Sequence, residues 1–476
     1  MVSEGLSQNP APPLPNREFR GAWVATVRGI DWPFEPGDPT EKQQKEIVAI
    51  VAKAAQLKLN ALIFQVRPAG DAVYQSDIEP WSPWFTGKMG KAPLPLWDPL
   101  DFFIKEAHEH GIELHAWFNP FRALSGTQFS GSAKHISKEH PEWCIRYGED
   151  LWMDPGEAGV RERSKAVMLD VLRRYDVDGI HMDDYFYPYP LKKNGNAIEF
   201  QDSRSWNAYR NTGGDLTRSD WRRSNVDNFI QSLYADIKKE KPWVRFGISP
   251  FGIWRPNNPE GYAKGALDAY EDISADSLKW LQNGWCDYLA PQLYWPTEPK
   301  NLSFNVLFDW WLTQNTSRRH IWPGMASDRV LSDRQPSEIL KQISYTRERS
   351  VYMPPGHLHW NFSALMKNKG TLADLCEKRA YQDFALPPSA SWLGPDKPDA
   401  PSLTVQDGKA EWNYADARME TFVKWWLVQV FENDQWVSKK LLPATVKSFA
   451  LAKGMGAVAI RAIGKTGIAS DPTVSR

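Results

Sequence analysis

Eight strand-like segments alternate with helical segments between residues 18 and 386, and this alternation constrains the fold more than any other feature. The hydrophobic patterns predict strands at Phe19–Val27, Ala61–Pro68, Ile112–Pro120, within Tyr175–Pro190, and at Val244–Trp254, Asp287–Trp295, His320–Ser327 and Gly356–Ser363. Helical spacing predicts helices at Glu41–Leu59, Asp98–His110, Val160–Tyr175, Arg218–Lys239 and Asp272–Asn283. Strands that alternate with helices in this way predict an α/β fold, a (β/α)8 TIM barrel, over residues 18–386.

The composition changes after Leu386. Residues 387–399 are rich in proline and predict a linker. Residues 400–476 hold short β-type runs separated by turn residues, among them FVKWWLVQVFEND and GAVAIRAIGKTG. This pattern predicts a small C-terminal β-sandwich of fibronectin type III character. At the other end of the chain, residues 1–17 are polar and rich in proline, which predicts an extended leader.

The totals exclude several classes of protein. Basic and acidic residues nearly balance, 57 against 58, which predicts neither a nucleic-acid-binding protein nor a membrane-surface protein. No apolar run reaches the length of a transmembrane helix. The three cysteines are too scattered for a disulfide framework or a zinc site, and the HxH pair His357 and His359 has no obvious third ligand. The chain has no P-loop, dinucleotide fingerprint or GxSxG elbow, so we expect no metal and no cofactor.

The N-terminus leaves two interpretations of where the protein works. No hydrophobic core of the kind that a signal peptide needs occurs in the opening residues MVSEGLSQNPAPPLPN. Either the protein is cytoplasmic, or Met1 replaces an export signal that has been removed. The proline-rich, polar opening is typical of a tether and favours the second interpretation.

The chemistry is predicted to centre on the stretch YDVDGIHMDDYFYPYP, Tyr175–Pro190. If its first part is an extended strand, Ile180 and Met182 share one face while His181 and Asp183 share the other. The outer face of a barrel packs on apolar helices, so His181 and Asp183 are predicted to point inward. Asp183 ends the strand at the edge where such barrels place their active sites, which predicts a catalytic or substrate-binding carboxylate.

Further polar side chains are predicted at the same ends of other strands: Arg67, Asn119, Arg122, Ser249, Gln292, Tyr294 and Asn361. Each of them, taken alone, is ordinarily a hydrogen-bonded core residue. Their convergence is a stronger signal, because buried polar groups without partners are costly. The chain also has 24 tryptophans, and Trp254, Trp295 and Trp360 follow predicted strands, where a sugar-binding cleft needs flat apolar platforms. Together these patterns favour a carbohydrate-binding cleft.

Glycoside hydrolysis usually needs a second carboxyl group, roughly 5 Å from the first for retention or up to about 9 Å for inversion. The sequence offers Asp184, Asp154, Asp71 and Glu298 as candidates. Asp184 reaches the cleft if the chain bends after Asp183, because neighbours on a strand face opposite ways. Otherwise it forms an ion pair or caps the following loop. Retention and inversion both remain open.

Long motifs resemble the glycosyl hydrolase-like family 10. They are FRGAWVATVRGIDWP, FQVRPAGDAVY, HAWFNPFRA, MDPGEAGVRE, VDGIHMDDYFYP, GISPFGIWR and DYLAPQLYWP, and the resemblance runs from Arg17 to about Leu386. It implies an exported or lipid-anchored bacterial envelope glycosidase. One member of the family cleaves peptidoglycan glycan strands already stripped of their stem peptides. The resemblance also implies that Asp183 and Asp184 form the acidic pair and that the cleft motifs include Asn119, Arg122, Gln292 and Tyr294.

The fourth strand also resembles, more distantly, that of chitinase-type barrels, whose motif is DGxDxDxE. Alignment of VDGIHMDDY with this motif places His181 at the first inner Asp, Asp183 at the second and Tyr185 at the Glu. The Glu is the general acid of that family. Its absence argues against the substrate-assisted route that chitinases use.

We predict a polysaccharide-cleaving enzyme whose general acid or nucleophile is Asp183 and whose partner carboxylate is Asp184. The side chains predicted to hold the polysaccharide are Arg67, Asn119, Arg122, His181, Tyr185, Gln292 and Tyr294, with Trp254, Trp295 and Trp360 as stacking platforms. Arg67 and Arg122 are expected to pair with an acidic substituent such as a lactyl carboxylate, which favours peptidoglycan over neutral glycans. One alternative is a glycan-binding envelope protein without turnover. Another is a metal-dependent deacetylase that uses His181 and Asp183.

Overall fold

The computed structural model describes residues 11–126, 131–298, 301–394, 397–452 and 455–475. The chain divides into two compact units. One unit comprises Glu18–Ala107 and Ile112–Asp383, and the other takes in the described parts of Met1–Arg17, His108–Gly111 and Phe384–Arg476. The described part of the segment predicted as a linker, residues 387–394 and 397–399, therefore belongs to the second unit.

Parallel strands form the centre of the first unit, and eight of them occur among the described residues. In chain order they are β1 (Phe19–Val24), β2 (Ala61–Arg67), β3 (Glu113–Phe118), β4 (Gly179–Met182), β5 (Arg245–Ile248), β6 (Tyr288–Leu289), β7 (His320–Ile321 and Gly324–Ala326) and β8 (Gly356–Trp360). Each strand pairs in parallel with the next. Gly21 lies opposite Ala61, for example, and His115 lies opposite Gly179.

Strand β7 closes the ring. Trp322 and Pro323 divide it into two halves, of which the first pairs with β6 and the second with β8. Strand β8 in turn pairs with β1, with Gly356 opposite Phe19. Because both halves of β7 belong to one strand, the sheet returns to its start. The predicted α/β barrel is therefore confirmed.

Helices between the strands bury their apolar faces against the barrel. Their bounds are Thr40–Gln56, Pro99–Glu109, Ala158–Arg174, Arg218–Glu240, Ser277–Gln282, Phe304–Gln314 and Pro336–Arg349, with shorter helices at Phe362–Met366 and Leu372–Leu375. In the first helix Ile47, Ile50 and Val51 lie at helical spacing and share one core with Leu62 and Phe64 of β2. The outward side chains of the strands are thus covered, and the inward ones are left for the barrel interior.

Prolines end two strands earlier than the sequence pattern predicts. Strand β5 ends at Ile248 and strand β6 ends at Leu289. Pro250 and Pro291 follow within two residues, and proline has no N–H to donate to a sheet. The polar residues beyond these points are therefore loop residues at the mouth of the barrel.

Insertions after β3 and β4 stand at the same end of the barrel. After β3, an antiparallel sheet forms from Arg122–Leu124, Asp150–Met153 and Cys144–Tyr147. After β4 come the hairpin of Lys192–Lys193 with Asn196–Ala197 and the helix Ser203–Asn211. Short helical turns also occur at Pro83–Thr86, Ile136–Glu139 and Ala269–Asp272. Both insertions leave from the carboxyl ends of their strands, which is the end that carries the active site in such barrels.

The second unit is a β-sandwich. One sheet holds Ser402–Gln406, Lys409–Asn413 and Ser448–Ala450, and the other holds, in spatial order, Gln435–Pro443, Val423–Glu432, Val458–Gly464 and Thr473–Ser475. Neighbouring strands are antiparallel in both sheets. Trp412 of one sheet and Trp426 of the other meet in a shared apolar core that also contains Ile460.

The described part of the predicted leader belongs to this second unit. The carbonyl oxygens of Pro12 and Pro13 accept hydrogen bonds from Arg461 and Gln429, at 2.7 and 2.8 Å. Residues 1–10 of the leader lie outside the described residues. Within the part of the chain that the structure describes, no helix has the length and apolar character needed to cross a membrane.

Candidate active site

A cleft of about 410 Å³ lies at the carboxyl ends of the barrel strands. Its lining comes from seven of the strands or from the residues that follow them: Trp23, Gln65, Trp117, Arg122, Asp183, Asp184, Tyr185, Tyr189, Ser249, Gln292, Tyr294 and Trp360, with Val27, Arg28, Ile30, Ser125 and Asp150. This edge of the sheet is where barrels of this kind hold their active sites. The volume is in the range of small-ligand pockets.

Asp183 lines the cleft and is 5% exposed. Its Oδ2 accepts two hydrogen bonds, from Asn119 Nδ2 at 2.5 Å and from Trp117 Nε1 at 3.1 Å. Burial, and then the neighbouring Asp184 carboxylate, raises the pKa of Asp183 to about 7. A carboxyl group with this pKa holds a proton near neutral pH, as a general acid must.

Asp184 lines the same cleft as Asp183. Both side chains fit because β4 ends at Met182 and the chain bends at Asp184, so strand alternation no longer separates the two neighbours. The Tyr189 hydroxyl donates to Asp184 Oδ2, and Gln292 also hydrogen-bonds this carboxyl group. Burial raises the pKa of Asp184, and these two hydrogen bonds oppose the rise.

Gln65 holds the side chain of Asn119. Gln65 Nε2 donates to Asn119 Oδ1 at 2.7 Å, which leaves Asn119 Nδ2 to face Asp183. Gln65 Oε1 in turn accepts hydrogen bonds from the backbone N–H groups of Thr26 and Val27, at 3.0 and 2.9 Å. The loop after β1 is therefore connected through two amide groups to the carboxyl group of Asp183.

Arg122 places a cation beside the acidic pair and is 6% exposed. Its guanidinium lies over the Tyr185 ring, with Cζ 4.0 Å from the ring centroid. Burial raises the pKa of Asp183 and of Asp184, and the Arg122 charge opposes both rises. Its Nη1 reaches the Pro68 carbonyl at 3.5 Å, while Nε has no hydrogen-bond partner among the described residues. The guanidinium therefore keeps hydrogen-bonding capacity that the described residues do not use.

Arg67, predicted to touch the sugar, is fully buried and lies outside the cleft lining. Its Nε and Nη2 donate to the Glu79 carboxylate at 2.7 and 2.5 Å. Its Nη1 donates to the carbonyl oxygens of Asn119 and Pro120 at 2.6 and 3.1 Å. Arg67 therefore has the position of a support for the loop after β3, since its nitrogens are engaged by other parts of the protein.

His181, also predicted to bind the sugar, is fully buried below the lining. Trp23 Nε1 donates to its Nε2 at 3.1 Å, so the ring carries its proton on Nδ1 and donates it to the Tyr288 hydroxyl at 2.9 Å. Burial, with His115 nearby, lowers the pKa of His181 well below its usual value and keeps the ring neutral. Both ring nitrogens are engaged, so neither offers a lone pair to a metal ion beside Asp183.

Tryptophans from three strands line the cleft: Trp23, Trp117 and Trp360. The Trp360 ring meets each of the other two edge-on, with ring centroids 6.0 Å apart in both pairs. Trp360 therefore lies where a stacking platform is predicted. Together the three rings give the cleft an apolar wall close to the polar acidic pair.

Trp254 and Trp295, the other predicted platforms, lie outside the cleft lining. Trp254 donates its Nε1–H to Asp276 Oδ1 at 3.1 Å and stacks on Trp310 with ring centroids 6.1 Å apart. Trp295 packs edge-on against Phe251, with ring centroids 5.9 Å apart. Trp254 therefore packs on a helix and Trp295 on a neighbouring strand end, and the sequence pattern does not distinguish such packing from a platform.

Of the four candidates for the second carboxylate, Asp184 shares the cleft with Asp183. Asp71 and Asp154 are each at most 2% exposed and lie outside the lining. Asp71 accepts a hydrogen bond from the Ala69 N–H, and Asp154 accepts hydrogen bonds from the Gly156 N–H and the Ser205 hydroxyl. Glu298 is exposed on the surface, also away from the lining. The placement of the side chains therefore favours the Asp183–Asp184 pair.

Several lining residues were not singled out from the sequence. Trp23 and Gln65 face inward on β1 and β2, and strand alternation carries the signal that would have found them. Asp150 belongs to the insertion after β3, where no periodic pattern points to the cleft. Tyr189 meets Asp184 through the fold of the loop after β4, which a local sequence pattern does not determine.

The HxH pair lies in the barrel core. His357 and His359 are fully buried, and their Nε2 atoms share the Tyr381 hydroxyl at 2.6 and 2.7 Å. Among the described residues, no three histidine, cysteine, aspartate or glutamate side chains are grouped so that they could hold a metal ion. The pair is therefore explained by its hydrogen bonds to one tyrosine.

Comparison with known proteins identifies the family. Residues 18–339, more than half of the chain, match the family described as glycosyl hydrolase-like 10. The chain belongs to the glycosyl hydrolase-like 10 family. This family member is 36% identical over 402 residues to glycosyl hydrolase YngK of Bacillus subtilis, covering 82% of this chain and 77% of that protein. It is 34% identical over 345 residues to glycosyl hydrolase DigH of Escherichia coli, covering 68% of this chain and 76% of that protein.

A solved structure shares the barrel of this glycosyl hydrolase-like 10 protein. The catalytic domain of β-amylase from Paenibacillus polymyxa superposes with a TM-score of 0.51 at 10% identity, covering 77% of this chain and 99% of that domain. This likeness bears on the fold. Family membership makes the protein a glycoside hydrolase, and the alternative of a glycan-binding protein without turnover is set aside.

Proposed function

We propose that this glycosidase cleaves a bacterial cell-envelope polysaccharide, namely peptidoglycan glycan strands from which the stem peptides have been removed. The observation that carries the proposal is the buried Arg122 cation beside Asp183 and Asp184. Removal of the stem peptide frees the lactyl carboxylate of the sugar. A guanidinium binds such a carboxylate through paired N–H donors, whereas a neutral glycan has no group that uses this charge.

Asp183 is the general acid of the proposed reaction. Its Oδ2 accepts N–H groups from Asn119 and Trp117 at 2.5 and 3.1 Å, whereas Oδ1 accepts a longer one from the Tyr185 backbone at 3.5 Å, so Oδ1 is the oxygen that carries the proton of the neutral form. That proton passes to the glycosidic oxygen as the bond between this oxygen and C1 breaks, and the leaving sugar departs as an alcohol. Asp183 is then a carboxylate, which the two N–H donors and the nearby Arg122 charge stabilise.

Asp184 is the carboxylate that completes the proposed reaction. While Asp183 is protonated, Asp184 carries the negative charge of the pair and faces the positive charge that develops at C1. It acts either as the nucleophile, forming a glycosyl ester that water hydrolyses, or as the base that takes a proton from the attacking water. In both routes the elements of water add across the bond, and Asp183 regains a proton before the next turnover.

The aromatic wall suits a sugar ring. The apolar C–H face of a pyranose packs on flat rings, and Trp360 lies with Trp23 and Trp117 in the same lining as the acidic pair. The hydroxyl and amide groups of the sugar then meet the polar lining residues, among them Ser249 and Gln292. This division supports binding of an amphipathic ligand such as a glycan.

A comparison of substrates tests the proposed specificity. Peptide-stripped glycan strands, peptide-bearing peptidoglycan and chitin oligomers are incubated with the wild type, Arg122→Gln and the charge-conserving control Arg122→Lys. Products are measured by mass spectrometry. We expect the wild type to prefer the stripped strands, Arg122→Gln to lose roughly tenfold or more of that preference, and Arg122→Lys to retain part of it. A preference that is the same in Arg122→Gln as in the wild type would rule out this role of Arg122.

We further propose that the protein works in the bacterial cell envelope, in the periplasm or as a lipid-anchored outer-membrane protein, because the proposed substrate lies there. Fractionation of cells that express the complete gene tests this, and recovery from the cytosol alone would contradict it.

We also propose that the C-terminal sandwich is of fibronectin type III topology. Its antiparallel sheets of three and four strands support that assignment.

A further inference from the structure

A chain of amide groups leads from the main chain to the catalytic pair. Gln65 is 1% exposed, and its Oε1 accepts hydrogen bonds from the backbone N–H groups of Thr26 and Val27 at 3.0 and 2.9 Å. Its Nε2 donates to Asn119 Oδ1 at 2.7 Å. Asn119 Nδ2 then donates to Asp183 Oδ2 at 2.5 Å. Each link is a side-chain amide with one donor end and one acceptor end engaged.

The orientation of both amides follows from these partners. A backbone N–H can donate but cannot accept, so the atom of Gln65 that faces Thr26 and Val27 must be its oxygen. The nitrogen of Gln65 then faces Asn119 and requires an oxygen there. Asn119 is left with its nitrogen toward Asp183. Turning over either amide would set two donors or two acceptors against each other in a buried site, which is costly.

We propose that Gln65 is a positioning residue for glycoside hydrolysis, which acts by locking the Asn119 amide with an N–H group toward Asp183. The proposal rests on the role of Asp183 as general acid in the proposed function. It goes beyond that role, because it assigns the control of the acid to a residue on a different strand.

The locked N–H group has two effects on Asp183. With the Trp117 N–H it occupies Oδ2 and so favours the acidic proton on Oδ1, and it stabilises the carboxylate that remains after the proton has left. If the Asn119 amide turned over, its oxygen would face Asp183 instead. The carboxylate would then lose an N–H donor and face an acceptor, so the neutral acid would be favoured and would give up its proton less readily.

Gln65→Glu tests the proposal with a side chain of nearly the same shape. It keeps an acceptor for Thr26 and Val27 but removes the N–H group that Asn119 accepts, so Asn119 is expected to turn its nitrogen toward the new carboxylate. We expect the protonation midpoint of Asp183 to rise by about one pH unit. Two measurements report it: the basic limb of the pH profile of kcat/KM, and a 13C NMR titration of the Asp183 carboxyl group in aspartate-labelled protein, assigned with Asp183→Asn.

Two further variants separate the amide from other causes. Gln43→Glu makes the same change in another buried glutamine, which is 2% exposed, donates to the Phe85 carbonyl at 3.1 Å and lies outside the cleft lining, so no shift is expected. Asn119→Leu removes the amide through which Gln65 is proposed to act. In that background Gln65→Glu should shift the midpoint of Asp183 far less than in the wild type.

Two results would overturn the proposal. A Gln65→Glu protein with lower thermal stability and an unchanged midpoint would overturn the proposal, because a purely structural role predicts that result. Equal shifts with and without Asn119→Leu would overturn it as well, since the added charge alone would then be acting. If Gln65→Glu does not fold, the same titration on Gln65→Met, which removes the N–H group without adding charge, decides the matter. The NMR titration needs no substrate, so it distinguishes failure of this proposal from failure of the proposed substrate.

Discussion

Asp183 and Asp184 are consecutive residues, yet both side chains line one cleft. Their strand ends at Met182 and the chain bends at Asp184, which brings both carboxyl groups to the same side. Two buried carboxyl groups in one site ionise in sequence, because the first negative charge raises the pKa of its neighbour. Asp183, whose pKa burial and the Asp184 charge raise to about 7, is therefore the group of the pair that keeps a proton near neutral pH. Glycoside hydrolysis uses such a protonated carboxyl group as its general acid.

Asp184→Asn should lower the pKa of Asp183. In the wild type this pKa is raised to about 7 by burial and by the Asp184 charge, so the acid form, and with it kcat/KM, declines as pH rises through about 7. Removal of the Asp184 charge removes one cause of the rise and leaves burial. We expect a downward shift in the 13C NMR titration of Asp183, and an unchanged or higher midpoint would show that the two groups do not interact.

Three of the candidates for the second carboxylate should differ sharply in their effect on turnover. Asp184→Asn should reduce kcat on peptide-stripped glycans by about 10²–10⁴-fold, the usual contribution of a catalytic carboxylate. The matched controls Asp71→Asn and Asp154→Asn should stay within about tenfold of the wild type, because these side chains lie outside the cleft. Steady-state kinetics on folded variants give the comparison. A large loss of kcat in Asp154→Asn, with Asp184→Asn unaffected, would identify Asp154 as the second carboxylate in place of Asp184.

Asp71 should make the fold less stable as pH rises. Burial raises its pKa from 3.8 to about 7, so the folded protein keeps a proton that the unfolded chain has already lost. The stabilisation from this proton is complete below about pH 4 and is lost as pH rises through about 7, at about 1.4 kcal/mol per unit of pKa difference. Asp71→Asn has no such proton. As the pH rises from 4 to 8, its free energy of unfolding should therefore increase relative to that of the wild type. Urea unfolding at a series of pH values measures this, and two parallel curves would refute it.

Chelators should leave glycan cleavage unchanged. Both ring nitrogens of His181 are hydrogen-bonded, to Trp23 and to Tyr288, so His181 is not free to act as the ligand of the metal-dependent deacetylase that the sequence left open. Activity is measured after dialysis against EDTA and after addition of zinc, with mass spectrometry of the products. Loss of activity on dialysis, restored by metal and accompanied by acetate release, would favour the deacetylase.

The order of the barrel strands followed from the sequence because strand alternation and apolar outer faces are local properties. The same reasoning placed Asp183 on the inner face at the end of β4. It left Asp184 undecided, since the position of Asp184 depends on the bend after Met182, and a run of alternating residues carries no information about such a bend.

Depth within the barrel was not predictable in the same way. Arg67 and Glu79, which pair below the cleft, are separated by a loop, and the fold of that loop decides whether the Arg67 guanidinium is free for a sugar. Trp254 was predicted as a platform, but its partner Asp276 comes from a later helix cap. Asp150 lines the cleft, but it belongs to an insertion whose sequence has no periodic pattern. Local patterns predict the direction of a side chain, whereas its partners depend on distant parts of the chain.

Incubation of peptide-stripped peptidoglycan strands with the wild type and with Asp183→Asn in 18O-labelled water, followed by mass spectrometry, tests most directly whether this acidic pair hydrolyses glycans. We expect shortened saccharides from the wild type, each with one 18O atom at the new reducing end. Asp183→Asn should bind the strands but cleave them about 10²–10⁴-fold more slowly. Equal cleavage by the two proteins would show that Asp183 takes no part in the reaction. Strands left intact by the wild type would contradict the proposed substrate.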